Sequence, residues 1–97
     1  MEGRALISSD ILARYAGDAA LEVEGVSSLV PSQLHRHEGV RVLDDGSRVE
    51  LHVKVDWGVN VNAVGRAVQR RVSEYLASMA NNGVTAVDVV VDEVETP

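Results

Sequence analysis

From Arg48 to Trp57 apolar and polar residues alternate without a break. Val49, Leu51, Val53, Val55 and Trp57 take one parity; Arg48, Glu50, His52, Lys54 and Asp56 take the other. A period of two predicts a strand with one dry and one wet face, with Trp57 as the last dry residue, and Gly58 stops it. The period then changes. Val64, Val68, Val72, Tyr75, Leu76 and Met79 recur at helical spacing, so a second helix follows, capped by Asn60 or Asn62. Arg66, Arg70, Ser73 and Ala77 lie on its other side. Asn81, Asn82 and Gly83 end it. Val87, Val89 and Val91 alternate with Asp88, Val90 and Asp92 in a last strand over 84–94, and the acidic tail frays.

Upstream the signals are shorter. Residues 3–7 (GRALI) predict a strand. Ser8 or Ser9 caps a first helix, and Asp10 suits its positive end. Ile11, Leu12, Tyr15, Ala16, Ala19 and Val23 share one side of it; Asp10, Arg14 and Glu24 share the other. Leu21 falls off the apolar stripe. Gly25 is read as the C-terminal stop. Residues 26–39 keep no period, and Pro31 marks them as a connecting loop, with Val26, Leu29 and Leu34 tucked onto the domain. Val40–Leu43 is a short strand. Asp44, Asp45 and Gly46 tolerate positive φ and form a hairpin turn, pairing strands two and three antiparallel.

The order β-α-β-β-α-β predicts one α+β domain over 1–97 (core about 3–94), a two-layer sandwich with two helices on one face of a four-stranded, mostly antiparallel sheet. A ferredoxin-like order is the simplest arrangement: strands one and three central, strand four beside strand one. Leu6, Leu43 and Val90 then have outward parity, with Leu6 and Val90 as neighbours. An apolar spot amid charges suits an interface; scattered exposed aliphatics are the plainer account.

Composition narrows the function. Hydrophobic residues are 45% of the chain, Phe is absent and Trp57 is the lone Trp. The core must be built from small aliphatics, with Trp57 and Tyr15 or Tyr75 as its few large pieces. Such a small core leaves a thin stability margin, which favours self-association. A formal charge of −6 opposes nucleic-acid binding and adsorption to an anionic membrane. With no Cys there is no disulfide or thiolate chemistry. No apolar run approaches the ~20 residues of a spanning helix, nor is there a signal-peptide core, so the chain reads as cytoplasmic.

Candidate chemistry is sparse. His35, His37 and Glu38 sit in the loop, where a solvated segment accounts for them better than a metal site. His52, between Glu50 and Lys54, suits an exposed cross-strand pair. The serines are caps or turn residues, and no G-x-S-x-G, G-x-G-x-x-G or P-loop occurs. Asp44 and Asp45 are a turn, while Asp92 and Glu93 point to opposite faces. No catalytic, cofactor or metal residues are assigned. Arg66, Arg70 and Arg71 give the second helix a basic edge, read first as a solvated face with Arg70 paired to Glu74, second as a docking site for an acidic partner or for the chain's own acidic last strand.

In combination these features resemble the alkaline-shock protein family. The residues that carry the likeness are Gly3, Ile7 and Ser8; Ile11 and Ala16 leading into Glu22-Val23-Glu24-Gly25-Val26 and Leu29; the strand Val49 to Val55 with Asp56-Trp57-Gly58-Val59-Asn60; Val64, Val68, Gln69, Val72 and Met79; and the closing Val84, Val87, Val89 and Val91. The turn Ala80 to Val84 is longer than the family's usual Thr-Gly-Leu. The resemblance implies a non-enzymatic protein of alkaline and envelope stress that self-assembles and is held at the membrane by a separate anchored protein. On this reading the chain is an interaction module, with Leu6, His52, Lys54 and Val90 on the open sheet face and Arg66 and Arg70 on the second helix as competing surfaces. The alternative is a nucleic-acid or ribosome-associated module, which would need a basic, aromatic sheet face.

Overall fold

The computed structural model describes residues 7–31, 38–79 and 83–97. They form α1 (Ser9–Leu21), β1 (Val26–Leu29), β2 (Val40–Leu43), a 3-10 turn (Asp44–Gly46), β3 (Arg48–Val55), α2 (Val61–Ala77) and β4 (Ala86–Val94). The two-layer α+β sandwich with a four-stranded sheet is as the sequence predicts. The make-up of the sheet differs in one respect: the segment read as a loop contributes β1. The predicted strand at 3–7 lies, but for Ile7, outside the described residues.

β3 is the centre of the sheet. On one edge it carries β1 and β2 end to end, both antiparallel: Val26 to Leu29 lie against Val55 to Val53, and Val40 to Leu43 against Leu51 to Arg48. The two short strands meet at His52, whose N–H donates to the Gly39 carbonyl and whose carbonyl accepts from Val30, both at 2.8 Å. Gly39 has φ +94°, and a Cβ there would lie 2.9 Å from the Val30 oxygen. Glycine is therefore what lets the chain re-enter the sheet at this point. On the other edge β4 runs parallel to β3, with Val49 opposite Val87 and His52 opposite Val90. Strand four thus pairs directly with β3, which corrects the ferredoxin-like expectation of strand one lying between them. The α2 crossover is the long connection that parallel pairing requires.

The alternation in β3 is realised in full: Val49, Leu51, Val53 and Val55 are buried, and Arg48, Glu50, His52 and Lys54 are on the open face. α2 covers the dry face with Val64, Val68, Val72 and Leu76. The Asn60 side chain accepts from the Ala63 N–H at 2.9 Å, making it the cap. At α1 the cap is Ser8, accepting from Ile11 N–H.

α1 is rotated from its predicted setting. It buries Leu12, Ala13, Ala16, Gly17, Ala19 and Ala20, whereas Ile11 and Tyr15 stand partly in solvent. Small residues let the helix axis approach the sheet; a Cβ on Gly17 would sit 3.1 Å from the Leu29 methyl. The helix ends at Leu21 with Glu22 as its C-cap, so Gly25 serves the turn into β1 (φ +98°) instead of stopping the helix. Asp44, Asp45 and Gly46 all adopt positive φ in the β2–β3 turn, as Asp and Gly there predict.

Candidate interaction surfaces

The open face is a ladder of charges. Arg48 donates to Asp88 at 2.6 Å and lies 3.4 Å from Asp44; Arg41 lies 3.6 Å from Glu50; Lys54 lies 3.4 Å from Glu95, which also accepts from the Ser27 hydroxyl at 2.7 Å. In the middle, His52 is clamped. Its Nδ1 is 2.6 Å from Asp92 and its Nε2 is 2.7 Å from Glu50. Both partners are carboxylates, so both bonds exist together only when the ring is an imidazolium. Burial opposes that charge, but the bonds to Glu50 and Asp92 outweigh it and raise the His52 pKa above its ordinary value. Glu95 is held below the usual carboxylate range by the Ser27 hydroxyl and by Lys54. Asp92 follows Asp88 and Val90 onto this face, and the bulge after Val91 then sets Glu93 opposite Lys54 on the same face. This corrects the expectation that Asp92 and Glu93 point to opposite faces, since a bulge interrupts the alternation between them and spacing carries no sign of it.

Of the residues predicted to form an interface, His52 and Lys54 are therefore engaged within the sheet. Val90 is exposed beside His52. Leu6 lies outside the described residues, as do Leu34, His35 and His37. Arg66 and Arg70 are exposed on α2, and among the described residues neither makes an ion pair; the expected Arg70–Glu74 bridge does not form. Arg71 instead bridges to Glu22 at 2.5 Å, tying α2 to the end of α1, and lies over the Tyr75 ring. Tyr75 and Tyr15 pair at 6.2 Å across the same helix junction.

Sequence reasoning missed two features. Trp57, expected in the core, is 64% exposed. β3 ends at Val55, and Gly58 (φ +85°) turns the chain away before the indole can reach the dry face. Val61 and Val94 are also exposed and belong to the same end of the sheet, where β3 and β4 finish and α2 begins. The Asp56-x-Gly58 turn signal was the available clue. The second feature is a groove of about 460 Å³ between α2 and β4, lined by Val61, Gly65, Arg66, Gln69, Val89 and Val91 among others. A comparable groove of about 480 Å³ runs along α1 between Ile11 and Leu21 over Leu29 and Val40. Both are open to solvent. Among the described residues no group of three or more His, Asp and Glu could hold a metal ion, and no helix is long and apolar enough to cross a membrane.

Fold and surface together define a small α+β domain of the two-layer class, with its polar chemistry spent on internal pairing and its apolar exposure at grooves and edges. The chain belongs to the alkaline shock protein 23 family, described by its cell envelope-related function, whose model matches residues 1–96. The alkaline-shock resemblance is thereby borne out. An uncharacterized Bacillus subtilis (strain 168) protein, YqhY, is 24% identical, the match covering 90% of this chain and 73% of YqhY. Among solved structures, a histidine-to-alanine variant of MamM-CTD superposes with a TM-score of 0.63 at 17% identity, covering 91% of this chain and 100% of that one. A nickel form of another MamM CTD variant gives 0.62 at 18% identity, covering 89% and 99%. At these identities the likeness is one of fold.

Proposed function

We propose that the chain is a non-enzymatic interaction module of the cell envelope. It self-associates and docks to a membrane-anchored partner, remaining cytoplasmic and peripheral to the membrane. The observation that carries this reading is Trp57, 64% exposed at the sheet end that it shares with exposed Val61 and Val94. A large amphipathic ring held in solvent by a tight turn forfeits the burial that would stabilise the monomer. Such rings are typical of binding hot spots. The family's envelope-related function supplies the context.

The nucleic-acid alternative has less support. Among the described residues, the bases of the open face are matched by acids, and no aromatic ring joins β3 and β4 there.

Trp57→Ala tests the reading. We expect the fold to survive, with stability within about 0.5 kcal/mol as for other exposed sites. Retention of the tagged chain in the membrane fraction of its native host should fall sharply, by roughly tenfold or more for a hot-spot ring. Unchanged retention, or a wild-type chain that never sediments with membranes, would count against the proposal.

A further inference from the structure

We infer that the edge of β4 turned away from β3 is a self-pairing surface, through which two copies join their sheets antiparallel about Val89. This rests on the interaction-module reading and names the surface and register of its self-association.

β4 is nine residues long and uses one edge on β3; among the described residues no strand takes the other. The orientation of its amides follows from its bonds. Ala86 N–H donates to the Ser47 carbonyl on the β3 side. In a parallel pair each residue turns its N–H and C=O the same way, and alternate residues turn oppositely. Ala86, Asp88 and Val90 therefore face β3, while Val87, Val89 and Val91 present theirs outward. Gln69 marks that outer edge: its Nε2 donates to the Val87 carbonyl at 2.9 Å.

Exposed edges are commonly blunted by Pro, Lys, early bulges or inward charges. β4 has neither Pro nor Lys, and its bulge comes only after Val91. Asp88 and Asp92 lie on the open face and are bonded to Arg48 and His52. The row from Val87 to Val91 is thus a strand template.

Strand length and charge together choose the occupant's register, for centring on Val87 would leave only Ala86 to Asp88 paired within the strand. Antiparallel pairing of two copies about Val89 puts Asp88 opposite Val90 of the second copy, and Ala86 opposite its Asp92. No two acids are opposed. Centring on Asp88 would set that carboxylate against itself, centring on Val90 would set Asp88 against Asp92, and centring on Val91 would run the pairing into the bulge. Like charges directly opposite are destabilising. About Val89 the Val87 carbonyl still has a lone pair for the second copy beside its bond to Gln69. Both helical layers then fall on one side of a continuous sheet. The α2–β4 grooves adjoin, and Gly65 leaves space there because nothing lies within 4 Å of where its Cβ would be.

Sedimentation of the full chain over a range of concentrations tests this with three variants. V90D places two new pairs of opposed carboxylates in the dimer and should weaken it roughly tenfold. V90K places lysines opposite Asp88 and should hold or tighten it. V89P removes the central outward N–H without touching the β3 ladder and should leave monomers; far-UV circular dichroism checks that it folds. The Val90 pair keeps the test decisive if V89P does not, since that side chain is on the open face. Self-association that ignores both Val90 variants overturns the strand pairing while leaving the module reading intact. So does a chain that stays monomeric yet is retained at membranes through Trp57. A monomer with no membrane retention overturns both.

Discussion

His52 shows how a single ring reports on its surroundings. It is largely enclosed between β1, β2 and β4, faces Glu50 on its own strand and Asp92 on β4, and has a raised pKa. A histidine raised on folding stabilises the native state fully below its ordinary value of 6.5, and that contribution is lost as pH rises through the folded value. The deprotonated ring keeps one donor, so one carboxylate loses its bond. For His52→Gln we therefore expect a stability loss of about 1–2 kcal/mol near pH 5.5, the scale of a charge-assisted bond. The gap should narrow by about pH 8.5, read by urea unfolding at both values. A gap independent of pH would show that the carboxylate clamp does not titrate. Trp57 teaches the converse lesson. Its parity matched the dry face, yet parity assigns a face only while the strand lasts, and β3 ends two residues earlier.

At the scale of elements, α2 carries the sheet's roof and its crossover. Its face of Val64, Val68, Val72 and Leu76 is buried throughout, so the helical period alone located it correctly. Its start depends on Asn60, whose side chain satisfies an amide with no partner inside the helix. Asn60→Ala should cost about 1 kcal/mol, measurable as a lower midpoint of thermal unfolding with the fold retained. α1 was less legible. Alanine is weakly hydrophobic, so a wheel weighted by Ile11 and Tyr15 pointed the wrong edge inward. Packing selected the small residues because they let the helix lie close over Leu29 and Val40. β1 is only four residues long, with a bulge and a Ser-Ser pair, too brief to show a period.

For the molecule as a whole, the balance of charge is decisive. The chain carries −6 overall, and the bases of its open face are already neutralised by neighbouring acids. Among the described residues no continuous basic track remains for phosphates. We expect no shift of generic RNA or DNA probes at low salt, about 50 mM, in an electrophoretic assay; a shift that weakened steeply with salt would reinstate the nucleic-acid reading. The thin core argues the same way as the outer edge of β4, which no strand among the described residues takes. Its buried apolar residues are chiefly Val and Ala. They leave little margin in a domain of this size, and joining sheets edge to edge would supplement it.

The sequence by itself determined what is local: the wet and dry faces of β3, the buried stripe of α2, the Asp44–Gly46 turn, and the absence of cysteine chemistry. Each follows from residue type and a spacing of two or 3.6, which any short segment displays without its neighbours. Only the tertiary structure decided which strands meet. It set β1 and β2 in tandem on one edge of β3, put β4 parallel on the other, closed His52 between two acids, and left Trp57 in solvent. Those outcomes depend on contacts between residues far apart in the chain, and periodicity carries no record of what will lie alongside.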